Sequence, residues 1–570
     1  MIFVSRGRRI PMRSSAAAAR VLCAAASVAA LTGARATAAA PPLRAGWSSV
    51  IVQINDSHGG GEMTARREAG LRALGGYVYR RLPLIHAAGV RVPAKNAARL
   101  AVLPWVAHVS PDRGVKKSDE FTVEHSGADV AFGQQSLTGS GVTVAVLDSG
   151  VRRGHPDFGV PGTKNTRVIA EANFVPLSRT ADDACGHGTH VAGIIAGNGQ
   201  ASSGSDCFRT FYGVARRANL VNVRVLDGEG RGDVSAVIAG LQWVVNNRSA
   251  YKIRVVNLSL GHPVGESYQT DPLCQAVEAA YRSGIVVVCA AGNTGRVRTD
   301  SLSDRDNEGW GAAYGSIQSP ANDPYVLTVG AMKSSGGSGK ASDRIATYSS
   351  RGPSRLDFIV KPDLVAPGNQ VIAPLANNSY LEGANGGGNV ITQGVYSTRL
   401  SSKDSNKYFR LSGTSMAAPV VSGAVALLLQ KDPTLLPDTI KARLMLSADK
   451  RAYPNGMGDA CTFGAGSLNI PAALANRVVA TRPALSPALY QDNQGNVDVR
   501  MDRVIWGESG LWGTQTDGLH VLWGESVVWG ENTLLNSNVL WGENVWSDRV
   551  IRGETSSAVD LTSTAIQGDN

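Results

Sequence analysis

Between Val142 and Met332 the chain repeats one pattern: a short continuous apolar run, a turn, then apolar residues at a helical period. The runs are Val142 to Leu147, Leu220 to Leu226, Ile253 to Leu260, Ile285 to Cys289 and Tyr325 to Val329. They show little polar alternation, so each strand should be buried on both faces. A helix-covered, mostly parallel sheet is therefore predicted. In such sheets ligands bind beyond the carboxyl ends of the strands. Asp148, Gly261 and Asn293 each fall just after a run, which predicts three separate segments at one rim.

Two flanking regions read differently. Residues 47 to 110 give a strand at Val50-Ile51-Val52-Gln53-Ile54, a helical stretch to about Leu74, and further strand-like pieces ending at Val106 to Val109, a small α+β module. From near Val479, Pro, Asp, Asn and Gln interrupt the apolar periodicity. There Trp-Gly-Glu recurs at Trp506, Trp523, Trp529 and Trp541, with partial copies at Trp512 and Trp546. Six of the ten tryptophans fall within these 41 residues, which suggests short strands between glycine turns.

Charge changes the picture mainly by its location. The formal net charge is +10, but residues 1–117 hold 18 Lys/Arg against 4 Asp/Glu, and the remainder holds 38 against 42. The bulk of the chain lacks the basic surface that nucleic acid requires, so no nucleic-acid partner is expected. The first 40 residues have an Arg-rich stretch (Arg6, Arg8, Arg9, Arg13), an apolar run from Val21 to Leu31, and then small residues up to Ala40. That is the layout of a signal peptide, too short for a stable membrane span, and it implies a secreted protein. Beyond the leader the cysteines are Cys185, Cys207, Cys274, Cys289 and Cys461, an odd number for an oxidising compartment. Cys185 and Cys207 bracket a short segment around a helix start and are the expected disulfide. Cys289, within an apolar run, is expected to be a buried thiol.

Three segments carry one reactive group each among small residues: Val144 to Gly150 around Asp148, Gly186 to Gly193 around His187, and Leu411 to Pro419 around Ser415. Small neighbours let a substrate backbone reach a nucleophile, and glycines permit tight strand-to-helix turns. Acyl transfer needs a hydroxyl, a base within hydrogen-bond reach and a carboxylate that fixes the base's tautomer. The three segments supply these groups in the chain order Asp, His, Ser. Taken singly, Asp148 reads equally as a turn residue, His187 as a polar helix start, and Ser415 as a helix cap.

Over about residues 120 to 475 the sequence resembles the subtilisin-like serine proteases, whose three catalytic motifs these segments match. Asn257 to Gly261, Ala290-Ala291-Gly292-Asn293, Tyr348 to Pro353 and Lys361 to Gly368 also look like family segments. The resemblance implies a three-layer αβα catalytic domain over 118–478, preceded by a small α+β inhibitory propeptide over 41–117. It implies Ser415 as nucleophile at a helix amino terminus, His187 as its base in preference to His190, and Asp148 as the group that orients the imidazole. Asn293 is then the side-chain donor to the tetrahedral oxyanion, with the Ser415 N–H as the second. By the same resemblance, Gly230-Arg231-Gly232 and Ser259-Leu260-Gly261 hold an extended peptide between them as an added strand.

The chemistry so implied needs no cofactor and no catalytic metal. Family members often bind structural calcium, but no Asp/Asn/Glu cluster here has the spacing of such a site. Gly/Ser/Asn-rich stretches around 296 to 316 and 376 to 407 read as insertions. The expected activity is hydrolysis of peptide bonds in protein or peptide substrates, with the chain's own propeptide as inhibitor. The alternative is a catalytically inactive subtilisin-like binding or adhesion protein, against which the complete set of Asp148, His187, Asn293 and Ser415 argues. The Trp-Gly-Glu region, 479–570, is expected to bring no catalytic group; it could place the protein at a cell surface or be an extension without a specific ligand.

Overall fold

The computed structural model describes residues 46–55, 63–82, 86–111, 122–298, 308, 310–334, 343–398, 406–449, 459–491, 497–500 and 569. The leader expected over residues 1–40 and the Trp-Gly-Glu repeats lie outside the described residues. The chain divides into two units, Met1–Lys116 and Lys117–Asn570.

In the first unit, β1 (Trp47–Ile54), β2 (Tyr77–Leu82), β3 (Ala87–Pro93) and β4 (Val106–Pro111) form an antiparallel sheet in the order β2-β3-β1-β4. Alternate residues of β1 point to one face, so Val50, Val52 and Ile54 meet Val90 and Val92 of β3, and Leu71 of helix α1 (Ala65–Ala73) closes the core. Thr64 caps α1 by accepting a hydrogen bond from the Arg67 N–H. This is the small α+β module expected from residues 47–110.

The second unit is built on an eight-stranded sheet. Its strands are β5 (Thr143–Asp148), β6 (Val168–Asn173), β7 (Asn219–Arg224), β8 (Ile253–Leu258), β9 (Val286–Ala290), β12 (Leu327–Lys333), β13 (Arg344–Ile345) and β14 (Leu364–Pro367). Their order is β13-β12-β9-β8-β5-β7-β6, with β14 also paired to β12, and every pair is parallel except β12–β13. Between Asn293 and β12 a short antiparallel pair, β10 (Arg296–Arg298) and β11 (Trp310–Ala312), occupies the first of the Gly/Ser/Asn-rich stretches. A three-stranded antiparallel sheet follows in the order β15-β17-β16, from β15 (Val371–Pro374), β16 (Val390–Ile391) and β17 (Tyr408–Leu411).

The continuous apolar runs arise because the main sheet has a core on each face. Val144 and Val146 of β5, with Val286 and Val288 of β9, pack on one side against α2 (His187–Ala196) and α5 (Thr414–Lys431). Ala145, Leu147, Val287 and Cys289 face the other side, against α3 (Val234–Asn247) and α4 (Pro272–Arg282). A strand with no solvent face has no reason to alternate. Helices α2 and α5 pack against each other, and Gly423 of α5 sits so close to Val214, in the segment leading to β7, that a Cβ would lie 2.5 Å from the valine Cβ.

The packed body does not stop at the composition change near Val479. Ala484, Ser486, Ala488 and Leu489 are buried, and the backbone of this segment pairs with the main chain at Pro324, Phe358 and Val360. Ser486 also donates to Asp363 (2.5 Å) and accepts from Lys441 (2.9 Å), a residue of helix α6 (Pro437–Leu446). Strand β18 (Ala488–Gln491) then pairs with β19 (Val497–Arg500). The polar interruptions are turns of a chain lying on the catalytic body, so the boundary read from composition falls too early.

Candidate active site

Strand β5 ends at Asp148, and helix α2 begins at His187 directly after Gly186, whose φ of 99° suits glycine. The two elements bring the Asp148 carboxylate to 2.8 Å from His187 Nδ1. Asp148 is fully buried and His187 retains 15% side-chain exposure, so the imidazole lies between a carboxylate behind it and solvent in front. Asp148 Oδ1 also accepts the Ser149 N–H at 2.7 Å, whereas Oδ2 has no hydrogen-bond partner among the described residues. Burial pulls the His187 pKa down, but the charge and hydrogen bond of Asp148, together with the charge of Asp183, outweigh it and leave the pKa above the ordinary 6.5.

Asp183 did not stand out in the sequence. Its carboxylate accepts the N–H groups of Cys185 (3.1 Å), Gly186 (2.7 Å) and Thr189 (2.8 Å), and the Ser149 hydroxyl at 2.9 Å. Ser149 Oγ in turn accepts the Gly188 N–H at 3.0 Å. Asp183 thereby caps the turn into α2 and fixes it to the end of β5. The available signal was an aspartate four residues before His187, at a spacing that lets it cap a helix.

His190 lies deeper on α2. Its Nε2 stands 3.1 Å from the Val371 carbonyl and 3.2 Å from that of Phe409, and burial, with the charge of His187, depresses its pKa to about 3. A neutral donor to two strand carbonyls holds the fold together and has no role as a base.

Ser415 is the second residue of α5, entered through Gly413 at φ 149°. In this conformation its hydroxyl donates to the Ser259 carbonyl at 3.2 Å, and the Ser259 hydroxyl donates to the Ser415 carbonyl at 2.9 Å. The link continues inward: Asn257 Nδ2 donates to Ser259 Oγ at 2.9 Å, and Ser422 of α5 donates to Asn257 Oδ1 at 2.8 Å. Free-enzyme hydroxyls often point away from the base and reach it when substrate arrives.

Asn293 follows β9. Its Oδ1 accepts both the N–H (2.9 Å) and the hydroxyl (3.0 Å) of Thr414, the residue before Ser415. With Oδ1 occupied, the donor end of the carboxamide is left for the cleft. Thr414 Oγ1 also accepts the Gly292 N–H at 3.1 Å, so one threonine joins the Asn293 loop to the start of α5.

His187, Asn293 and Ser415 line one cleft of about 300 Å³, and so do Gly230, Arg231, Gly232, Ser259, Leu260 and Gly261. Of the residues expected to take part in catalysis or substrate binding, only Asp148 is absent from the cleft wall. The turn carrying Gly230 to Gly232 is held by Asp227, which accepts the N–H groups of Glu229 (2.8 Å) and Arg231 (2.9 Å). A Cβ at Gly232 would stand 2.4 Å from the Val225 carbonyl oxygen, and one at Gly261 2.8 Å from that of Ser319. Both cleft walls therefore need glycine to keep backbone against backbone.

The expected Cys185–Cys207 disulfide is not formed: both are free thiols, as are Cys274, Cys289 and Cys461. Cys185 is in the core around α2 and beside the cleft, while Cys207 packs with Phe211, Tyr396 and Tyr408 in a separate cluster. Burial, reinforced by Asp183, pushes the Cys185 thiol up to about 12. Among the described residues no group of three or more His, Cys, Asp or Glu side chains could hold a metal ion, and no helix is long and apolar enough to cross a membrane.

A buried carboxylate on an imidazole, with a hydroxyl at a helix amino terminus and an amide donor in the same cleft, is a set of groups suited to acyl transfer. The profile of the Subtilase family, Peptidase_S8, matches residues 139–466. Serine protease AprX of Bacillus subtilis is 35% identical over 364 residues, which are 63% of this chain and 72% of that protein. Subtilisin E of the same organism is 31% identical over 414 residues, covering 72% of this chain and 86% of the relative. A cold-adapted subtilisin-like serine proteinase of known crystal structure is 30% identical, with a TM-score of 0.40 over 58% of this chain and 90% of that one. The chain belongs to the subtilase family and is a subtilisin-like serine endopeptidase.

Proposed function

We propose that peptide hydrolysis proceeds through an acyl-enzyme on Ser415, with His187 as base and then acid, Asp148 as the orienting carboxylate, and Asn293 with the Ser415 N–H as oxyanion donors. One observation carries this reading: the 2.8 Å Asp148–His187 bond opens onto the same cleft as Ser415 and an Asn293 whose acceptor end is already occupied. His187 takes the Ser415 proton as the hydroxyl attacks the substrate carbonyl, and returns it to the leaving amine. Water then enters by the same route and releases the acid. The amino-terminal dipole of α5 favours the negative charge that develops on the carbonyl oxygen.

The substrate would lie extended between the backbone of Gly230 to Gly232 and that of Ser259 to Gly261, in the three-layer αβα arrangement expected of this family. The small amino-terminal unit would act as an inhibitory propeptide, separated by self-cleavage between Asp112 and Glu124. The Arg-rich, apolar start of the chain supports export.

The test is labelling by a serine-directed phosphonate beside casein hydrolysis. Wild type should do both; Ser415→Ala should take no label and lose about 10⁶-fold in kcat. Equal labelling of the variant would overturn the assignment. Sequencing the amino terminus of both proteins from a protease-deficient host tests self-processing, since identical termini would exclude it.

A further inference from the structure

Asp569 lies beyond the last Trp-Gly-Glu repeat in the sequence, yet its side chain is 1% exposed on the catalytic unit. The contacts that hold it are numerous and directional. Its carboxylate accepts the Thr347 N–H at 2.5 Å, the Thr347 hydroxyl at 2.7 Å and Arg296 Nη1 at 3.2 Å. Its backbone is read as well. The Asp569 N–H donates to Asn369 Oδ1 at 2.9 Å, and its carbonyl accepts from Asn369 Nδ2 at 3.1 Å and Gln370 Nε2 at 2.7 Å.

The receiving residues are themselves held in place. Arg296 also donates to Thr347 Oγ1 at 3.0 Å and lies over the Trp310 ring, 4.5 Å from its centroid. Tyr348 donates to the Gly368 carbonyl at 3.1 Å, and Ser412 Oγ accepts the Gln370 N–H at 2.8 Å. Thr347 and Asn369 are 1% and 3% exposed, so an empty cradle would take the acceptor from the buried Thr347 N–H, the Thr347 hydroxyl and the Asn369 amide. A carboxylate with three donors and a backbone clasped in both directions select an Asp in one orientation.

We propose that Arg296, Thr347, Asn369 and Gln370 form a recognition site for an acidic peptide segment, occupied by the part of this same chain that carries Asp569. The site fastens Asp569, which follows the tryptophan repeats in the sequence, onto the body. It also stands behind the catalytic groups. Arg296 is three residues past Asn293, and Gln370 is tied to Ser412, three residues before Ser415. Docking of Asp569 thus braces the segment that presents the amide donor against the segment that presents the hydroxyl.

The experiment uses the full chain carrying Ser415→Ala, so that no self-digestion intervenes, with and without Asp569→Ala or Asp569→Asn. Hydrogen exchange at the Thr347 amide should be at least about tenfold faster in Asp569→Ala, because that amide loses its buried acceptor. Asp569→Asn, which keeps one side-chain oxygen as an acceptor, should fall between the two and remains readable if the alanine variant folds poorly. A fluorescent peptide of residues 564–570, capped at both ends, should bind the Asp569→Ala chain and not the chain that keeps Asp569. Adding Arg296→Ala should abolish that binding. Unchanged Thr347 exchange in Asp569→Ala, or peptide binding that ignores Asp569 or Arg296, would overturn the proposal.

Discussion

Ser259 and Ser415 are bonded in both directions, hydroxyl to carbonyl each way. The reason lies one turn along α5. Pro419, four residues after Ser415, has no N–H to give the Ser415 carbonyl, so the helix leaves that acceptor without its usual partner. Ser259 Oγ, itself held by Asn257, supplies the missing donor.

Ser259→Ala should therefore leave the part-buried Ser415 carbonyl without its donor. We expect a loss of stability of about 1–3 kcal/mol and a fall in kcat near tenfold. A melting curve and steady-state kinetics on one peptide check both. An unchanged kcat with a lowered melting temperature would confine Ser259 to a structural role.

Asn293→Ala removes one of the two proposed oxyanion donors and keeps Ser415, so kcat should drop about 10²–10³-fold with a smaller effect on KM. Thr414→Val removes a bond to Asn293 Oδ1 and one from Gly292, loosening the carboxamide without deleting it. Its loss should be smaller than that of Asn293→Ala and should also appear in kcat. If Thr414→Val matched Asn293→Ala, the threonine would be doing more than orienting its neighbour.

The raised His187 pKa sets the acid limb of activity. In the proposed mechanism the neutral His187 imidazole is the base, so kcat/KM should fall as pH drops through a value above the ordinary 6.5. In Asp148→Asn the limb should move to lower pH as the overall rate collapses. The sign for stability is the opposite. A group whose folded pKa is raised adds stability below its unfolded pKa and loses it as pH rises through the folded one. Melting of Ser415→Ala across that window, with Asp148→Asn beside it, should show the difference in slope.

A chain cut after Val478 loses Ala484, Ser486, Ala488 and Leu489 from buried sites and exposes the Asp363–Lys441 pair to which Ser486 is bonded. Its stability should fall by on the order of 3 kcal/mol or more. A chain cut after Arg500 keeps those contacts and should hydrolyse casein. Comparing the two by urea denaturation locates the end of the catalytic body.

The five buried runs were legible because a doubly covered strand leaves a continuous apolar record. Strand β6 was not, since it is the sheet's edge and its burial alternates: Val168 is buried and Ile169 exposed. The reactive groups were legible from their small neighbours, which a substrate's approach demands. The positioning roles of Asn257, Thr414 and Ser422 were hidden because their partners lie across the fold, whereas Asp183 left only its spacing before α2 as a mark. The disulfide expectation failed for the same reason, as a short sequence separation says nothing about which core each thiol enters. The Asp569 cradle draws its parts from three places in the chain, Arg296, Thr347 and Asn369-Gln370, and could be seen only once they met.

The five free thiols have one further consequence. Cys185, Cys274, Cys289 and Cys461 are buried, and no cross-link joins any of the five to another. Backbone continuity is then the only covalent restraint these residues see, and a single nick leaves two fragments joined by packing alone. In a proteolytic milieu the lifetime of such a molecule is set by how seldom its loops open, and reductants should neither shorten nor extend it.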